Sequence, residues 1–343
     1  MEQASDDANR SRGAAWKPLV SICIPTYNRP EALARVVESM LRQTYSPIEI
    51  IVTDDGDAEK TRAALGPLLE KIRYEANEKR LGLYANWNRS IELARGELVA
   101  SYHDHDHYAP TVVERSVELF RKRASVGIVH VATAMVWEDG RRREFLHRDL
   151  PEIADGRWFA KRQAWRWPSY VAHGSIMVRR DLYEKLGKFD EHLGFAADME
   201  MLNRFCLHGD IGYVGELLYE TEGRTPKDAF FEFKWHHVVD YVRVRRLIIE
   251  RMYADDPGLP LTRARLAAQI DDRILRQLAA CKVRGQEHLV REGLEVAKEE
   301  ATPAGQVLAA ILASDAAPAR AARSLAFTGY RAVRLARTLA SRP

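Results

Sequence analysis

The chain has 343 residues, 46% of them hydrophobic and 29% charged, with a formal net charge of +3, which suffices for one large or two ordinary domains with buried cores. Its three Cys lie far apart without a CxxC pair, which is typical of a reducing compartment and excludes a disulfide framework. The basic surplus lies in residues 315–343, and the near-neutral remainder, with no interleaving of basic and aromatic residues, argues against nucleic-acid binding.

The N-terminal part of the chain alternates between predicted strands and helices. Residues 1–17 are polar, lack the apolar centre of a signal peptide and indicate a disordered leader of a cytoplasmic protein. Short apolar runs then predict four buried strands, at Leu19–Ile24, Ile48–Thr53, Ile72–Glu75 and Leu98–Tyr102. Helical spacing of apolar residues follows the first three runs, over Glu31–Gln43, from Asp57 to Lys71, and up to Arg95. This rhythm predicts an α/β fold with a doubly wound, mostly parallel sheet and helices on both faces.

Three of these strands end in polar loops. The loops have the sequences PTYNR, TDDGD and HDHDH. In doubly wound sheets, ligands bind in the crevice outside the carboxyl ends of the strands. We therefore expect the three loops to build one site.

The third loop, residues 103–107, alternates between His and Asp. Two carboxylates and three imidazoles cannot all be buried at a strand end without a counter-charge, because desolvating unpaired ions is costly. A divalent cation would supply that charge. The alternative is a polar loop whose charges are solvated.

The rest of the chain divides into the end of the first domain and a helical region. Further helices are predicted at Val112–Lys122, Asp181–Leu186 and Asp198–His208, and strands at Gly127–Trp137, Ser175–Val178 and Ile211–Tyr219; residues 140–168 have weak periodicity. We place the first domain at 18–224, a helical region at 225–318 and a basic amphipathic tail helix at 319–343. No apolar run approaches the roughly 18–20 residues of a membrane span.

Five ordered sequence blocks resemble glycosyltransferase family 2, which has the GT-A fold. The blocks are SICIPTYNRPEALARVVESMLRQTY, IEIIVTDDGD, NEKRLGLYANWNRSIELARGE, SYHDHDHYAP and FDEHLGFAADMEMLNRF, between Val20 and Tyr219. The resemblance implies a metal-dependent enzyme that moves a sugar, with inversion, from a nucleoside diphosphate sugar to an acceptor hydroxyl. It also implies a role in bacterial polysaccharide or glycoconjugate synthesis, with a saccharide or lipid-linked acceptor.

The resemblance also assigns residues to the binding of the nucleotide sugar. Tyr27 would offer its ring to the base, Asp55 would accept a hydrogen bond from the base, and Arg80 would reach the base or the pyrophosphate. Asp54 is instead expected to shape the turn. The full set of nucleotide-sugar-binding residues that we expect is Thr26, Tyr27, Asn28, Arg29, Asp55, Arg80 and Asp104.

The metal motif departs from the Asp-x-Asp pattern of the family. His105 stands where many relatives have a carboxylate, so the resemblance implies Asp104, His105 and Asp106 as the ligand set, without deciding which of them is the chief ligand. Because an imidazole shifts the preference of a site from Mg²⁺ towards Mn²⁺, we expect Mn²⁺, with Mg²⁺ as the alternative. His236 and His237 are candidates to complete the shell, whereas His103 and His107 are expected to be outer or surface residues.

The catalytic base implied by the fifth block is Asp198. Many relatives have Glu-Asp where this chain has Ala197-Asp198, and Glu200 is the second candidate. Asp198 could instead cap the helix that begins there. His173 could border the acceptor site or be a core residue.

Two other functions remain open. A nucleotidyltransferase would also use paired acids on an α/β sheet, but PTYNRP lacks the glycines of a phosphate loop. A non-catalytic sugar-nucleotide-binding protein would fit the departures at His105 and Ala197. The tail at 319–343 could contact the inner face of the membrane, or pack on the body or on a second copy in a homo-oligomer.

Overall fold

The computed structural model describes residues 16–166, 169–223 and 234–314. The predicted leader up to residue 15, the predicted boundary at 224–225 and the predicted tail at 319–343 lie outside these ranges. The chain forms two compact units: one comprises residues 1–192 and 197–231, and the other comprises 193–196 and 232–343.

One mixed sheet organises the described part of the first unit. Its strands are β1 (Val20–Thr26), β2 (Ile48–Asp54), β3 (Arg73–Ala76), β4 (Leu98–Ser101), β5 (His107–Tyr108), β6 (Val126–Trp137), β7 (Arg142–Phe145), β8 (Ile153–Ala154), β9 (Ile176–Arg179) and β10 (Asp210–Gly223). The strand order is β3-β2-β1-β4-β9-β6-β10-β5, with β7 beside β6 and β8 beside β10. The first four strands are parallel to one another, β10 is parallel to β6, and β9 and β5 are antiparallel to their neighbours. This arrangement confirms the predicted α/β class.

Helices cover the sheet on the first unit. They are α1 (Pro30–Leu41), α2 (Ala58–Leu65), α3 (Leu83–Leu93), α4 (Val112–Lys122), α5 (Gly156–Ala164), α6 (Arg180–Leu186) and α7 (Ala197–Cys206). Alternate residues of β1, among them Val20, Ile22 and Ile24, pack in one core cluster with the apolar stripe of α1. Burying such contiguous apolar area is the dominant stabilising term in folding.

Two helices differ from the sequence prediction. The helix capped by Asp57 was expected to reach Lys71, but α2 ends at Leu65, because Gly66 takes a positive φ of 48° and a 3₁₀ turn follows. Helix α5 was not predicted, because it lies in the weakly periodic residues 140–168. Asp155 caps it by accepting a hydrogen bond from the Trp158 N–H (2.7 Å).

The described part of the second unit is helical. It contains α8 (Trp235–Met252), α9 (Leu259–Val283), α10 (Glu287–Glu300) and α11 (Pro303–Ala313). Pro260 and Pro303 lie in the first turns of α9 and α11, where the missing N–H of a proline would have no helical partner. None of the helices described combines the length and apolar character that crossing a membrane requires.

Candidate active site

Three predicted loops converge at the carboxyl ends of β1, β2 and β4. The Asp55 N–H donates to the Thr26 carbonyl (3.0 Å), and the Thr26 hydroxyl donates to Asp104 Oδ2 (2.7 Å). Parallel pairing of β1 with both β2 and β4 produces this convergence, since it aligns their carboxyl ends at one edge. Thr26 is buried and its hydroxyl donates to Asp104, and its predicted role in binding the nucleotide sugar stays a prediction.

Asp55 anchors the loop that carries Arg80. Its Oδ1 accepts hydrogen bonds from Asn77 Nδ2 (2.7 Å) and the Leu81 N–H (3.0 Å), and its Oδ2 accepts one from the Gly82 N–H (2.8 Å). A carboxylate that is 9% exposed needs such donors to offset its desolvation. The structure therefore gives Asp55 a structural task beside the predicted contact with a base.

Tyr27 and Arg80 meet at the surface of this site. The guanidinium carbon of Arg80 lies 4.2 Å from the centre of the Tyr27 ring, whose residue is 39% exposed. This is the geometry of a cation–π contact. The pair brings together two of the residues expected to bind the nucleotide.

The turn after Tyr27 is tied to the second loop. Asn28 has a positive φ of 54°, and its Oδ1 accepts a hydrogen bond from the Asp57 N–H (3.1 Å). A Cβ at Gly56 would lie 2.5 Å from that oxygen, so only glycine fits there. Asp54 shapes the same turn by accepting a hydrogen bond from the Gly56 N–H (2.7 Å), and it also accepts one from the Tyr74 hydroxyl (2.7 Å).

A candidate cation site lies in the HDHDH loop. His103, His105 and Asp106 each offer a ligand atom, and these atoms all lie within 4.8 Å of one another. Asp106 Oδ1 is buried and has no hydrogen-bond partner among the described residues. A buried carboxylate oxygen without a donor is costly unless a cation faces it. The donor set and this oxygen therefore fit a divalent cation.

The group that the structure brings together differs by one member from the predicted ligand set, whose role in metal binding stays a prediction. Asp104 stands outside the group, because its Oδ2 accepts from Thr26 and its Oδ1 contacts His105 Nδ1 (2.8 Å). His103, expected to be an outer or surface residue, takes its place. The alternation of His and Asp places His103 near the other two residues in the sequence. The direction of its side chain, however, depends on contacts with distant strands and could not be predicted.

Electrostatics keep both loop carboxylates ionised. Burial alone would raise the pKa of Asp104, but its hydrogen bonds with His105 and Thr26 and the charge of Arg29 lower it. Burial would likewise raise the pKa of Asp106, but the hydrogen bond with His103 and the nearby imidazoles hold it well below its usual range. Asp106 is thus an anionic group that could face a cation through its unpaired Oδ1, whereas both oxygens of Asp104 are engaged by Thr26 and His105.

Asp198 and Glu200 have different surroundings on α7. Burial raises the pKa of Asp198 to about 6, although hydrogen bonds from the Met199 N–H and from Tyr84 oppose the shift. Glu200 is buried and accepts hydrogen bonds from Arg204 Nε (3.1 Å) and Nη2 (3.1 Å). Arg204 also donates to the carbonyls of residues 186–188. Glu200 is therefore committed to a structural pair, which leaves Asp198 as the candidate base.

Helix α3 links the candidate base to the candidate cation site. Tyr84 on this helix contributes a hydrogen bond to Asp198, and the Trp87 ring lies 6.0 Å from the His103 ring. His173 packs edge-on against Trp87 at 4.8 Å. Burial, with a smaller contribution from His103, lowers the pKa of His173 to about 3, so this residue is a neutral, partly buried imidazole at the border of the site.

The two His residues of the KWHH segment lie in the second unit, at the start of α8. The His237 ring stacks on Phe195 at 4.2 Å, and His236 lies 4.3 Å from His237. Asp240, one turn further on, accepts a hydrogen bond from the Phe195 N–H (2.8 Å). His237 thus takes part in packing, and the predicted role of the two His residues in a metal shell stays a prediction.

The model of glycosyl transferase family 2 matches residues 21–187. These residues belong to glycosyltransferase family 2. The match includes the three converging loops and ends before Asp198, so the family assignment covers the sheet edge but not the candidate base.

Relatives by sequence share part of their length with this chain. An uncharacterised glycosyltransferase of Rickettsia typhi is 27% identical over 211 residues, 60% of this chain and 64% of that protein. An uncharacterised protein of Mycobacterium tuberculosis is 37% identical over 216 residues, 58% of this chain and 65% of that protein. The chondroitin synthase of Escherichia coli is 25% identical over 214 residues, 59% of this chain and 28% of that protein. The chain thus spans less than two thirds of each of these relatives.

Solved structures show the same fold. The S. aureus TarS fragment 1–349 in complex with UDP-GlcNAc has a TM-score of 0.61 at 16% identity, covering 94% of this chain and 92% of that one. The fragment in complex with UDP has a TM-score of 0.58 at 15% identity, with the same coverage. The likeness confirms the predicted GT-A fold.

The surroundings of Asp198 and Glu200 predict that replacing each acid by its amide has opposite effects on the stability of the fold. Because the folded state raises the pKa of Asp198 to about 6, folding disfavours its ionised form, and stability is lost as the pH rises from the unfolded value towards 6. Asp198→Asn should therefore be more stable than the wild type above pH 6 and similar to it near pH 4. Glu200→Gln should lose on the order of 1–3 kcal/mol, because it breaks a buried, charged pair.

Urea unfolding of both variants at pH 4 and pH 8, in EDTA, would measure these effects. Loss of stability in Asp198→Asn at pH 8 would mean that Asp198 has a structural role, as an N-terminal cap of α7.

Proposed function

We propose that this chain transfers a glycosyl group from a nucleoside diphosphate sugar to an acceptor hydroxyl, with inversion at the anomeric carbon. The observation that carries the proposal is a candidate base, Asp198, linked through α3 to a carboxylate–imidazole group on a GT-A sheet. TarS fragments of the same fold were crystallised with UDP-GlcNAc and with UDP, which supports a nucleotide sugar as the donor.

The nucleotide end of the donor would lie along the first two loops. The exposed Tyr27 ring offers a face to a base, and the Arg80 guanidinium beside it offers donors and charge to a base or a diphosphate. Asp55 holds the loop of Arg80 in place through Leu81 and Gly82. Binding of the base would therefore depend on Asp55 both directly and through the position of Arg80.

His103, His105 and Asp106 would hold the divalent cation. A cation there supplies neutralisation of the negative charge on the departing diphosphate. Asp104, fixed by Thr26, would orient His105 through its Nδ1, in the way that outer carboxylates orient metal-bound imidazoles.

Asp198 would act as the general base. Its carboxylate takes the proton of the acceptor hydroxyl while the hydroxyl oxygen bonds to the anomeric carbon and the bond from that carbon to the diphosphate oxygen breaks. The electron pair of the broken bond leaves with the nucleoside diphosphate. A pKa of about 6 suits a general base, which must be unprotonated at neutral pH and still basic enough to accept a proton.

We assign the reaction to bacterial polysaccharide or glycoconjugate synthesis, with a saccharide or lipid-linked acceptor. The enzyme would act in the cytoplasm, where the basic segment 319–343 could bring it to the inner face of the membrane. That segment lies outside the described residues, so membrane contact and a homo-oligomer stay predictions.

Hydrolysis of a panel of nucleoside diphosphate sugars in the presence of Mn²⁺ would test the proposal. We expect release of a nucleoside diphosphate, and an Asp198→Asn variant that loses turnover by about 10²–10⁴-fold but binds the donor normally. The exposed Asp139→Asn change should leave turnover unaltered. Release of pyrophosphate would instead support a nucleotidyltransferase, and binding without release would support a non-catalytic protein.

The imidazole ligands predict a preference for Mn²⁺. Nitrogen ligands suit Mn²⁺ better than Mg²⁺, which prefers oxygen, so the wild type should turn over faster with Mn²⁺ at saturating concentrations of either ion. Replacing His105 by Asp should shift the ratio of the two rates towards Mg²⁺. Equal rates with both ions in the wild type would contradict this ligand set.

A further inference from the structure

Tyr219 reaches the candidate cation site from the far end of the first unit's chain. It lies on β10, is 1% exposed, and pairs with Tyr108 of β5 in the antiparallel ladder. Its hydroxyl donates a hydrogen bond to Asp106 Oδ2 and lies 3.5 Å from His103 Nδ1. A residue more than a hundred positions away thus contacts two of the three candidate ligands.

The hydroxyl of Tyr219 has little freedom to move. A Cβ at Gly174 would lie 2.6 Å from this hydroxyl oxygen and 2.9 Å from His103 Nδ1, so the backbone of residue 174 closes the space on that side. The Tyr219 ring also packs at 5.2 Å from Tyr108, which in turn stacks on Tyr102 at 4.3 Å. The packing of the three tyrosine rings and the backbone of Gly174 therefore fix the position of the Tyr219 hydroxyl.

The contacts of Tyr219 and His103 fix the orientation of the Asp106 carboxylate. Asp106 Oδ2 is contacted by Tyr219 and by His103 Nδ1 (2.8 Å), whereas Oδ1 has no hydrogen-bond partner among the described residues and lies 3.7 Å from His105 Nε2. With a proton on its Nδ1, His103 keeps the lone pair of its Nε2. The contacts on one side of the group thus leave one oxygen of Asp106, and one nitrogen of His103, open to a cation.

We propose that Tyr219 is a positioning residue for the divalent-cation site, whose hydroxyl, confined by Gly174, turns Asp106 Oδ1 towards the cation. This inference rests on the proposed function, because it assumes that His103, His105 and Asp106 bind a metal ion. Outer residues that orient a ligand typically change metal affinity by about 10–100-fold when they are replaced. Tyr219 does not touch the donor or acceptor in this scheme.

The test compares Tyr219→Phe with Tyr102→Phe. Both changes remove one hydroxyl from the same stack of buried rings, but Tyr102 makes none of the described contacts with Asp106 or His103. Binding of Mn²⁺ in the presence of saturating UDP would be measured from the loss of the electron paramagnetic resonance signal of free Mn²⁺. Thermal unfolding in EDTA would show whether each variant is folded.

We expect Tyr219→Phe to bind Mn²⁺ about 10–100-fold more weakly than the wild type, and Tyr102→Phe to bind it normally. Gly174→Ala provides a second route, because its Cβ would displace the same hydroxyl and should also weaken Mn²⁺ binding. Since both changes act on the Tyr219 hydroxyl, although the Cβ at residue 174 would also crowd His103 Nδ1, the double variant should lose less than the sum of the single losses.

Normal Mn²⁺ binding by folded Tyr219→Phe would overturn this inference and leave the proposed function intact. Equal losses in Tyr219→Phe and Tyr102→Phe would also overturn it, because any hydroxyl of the stack would then have the same effect. Failure of the wild type itself to bind Mn²⁺ would overturn the cation site of the proposed function, and this inference with it.

Discussion

The site depends on the need of buried carboxylates for hydrogen-bond donors. Asp55 finds its donors in the loop of residues 77–82, Asp104 finds one in Thr26, and Asp106 finds one in Tyr219. Each bond joins segments that are distant in the chain, so satisfying the carboxylates also fixes the loops relative to one another. The exception is Asp106 Oδ1, and that unpaired oxygen is the feature that most directly indicates a cation.

The same principle separates the two acids of α7. Glu200 has a full set of partners through Arg204, which makes it part of the fold. Asp198 is held less completely, with burial raising its pKa, and a group whose charged form is poorly stabilised is suited to accept a proton. In the proposed mechanism, stability and catalysis are thus divided between two acidic residues only two positions apart on one helix.

Much of this could be predicted from the sequence, because strand periodicity and the polar ends of the strands are local signals. The convergence of the loops, the Asp57 cap and the four parallel strands follow from such signals. The pairing of Glu200 with Arg204 could also have been found, since they lie four positions apart on a helix. The contact of Tyr219 with Asp106 spans 113 positions and has no local signal, so the grouping of His103 with His105 and Asp106 could not be foreseen.

The most direct measurement is an anomalous diffraction map from crystals grown with Mn²⁺ and UDP. We predict a manganese peak bonded to Asp106 Oδ1 and to imidazole nitrogens of His103 and His105, with the base of UDP beside Tyr27. A nucleotide bound at this sheet edge without a metal peak near residues 103–106, or a base in a different cavity from Tyr27, would contradict a single site built from three loops.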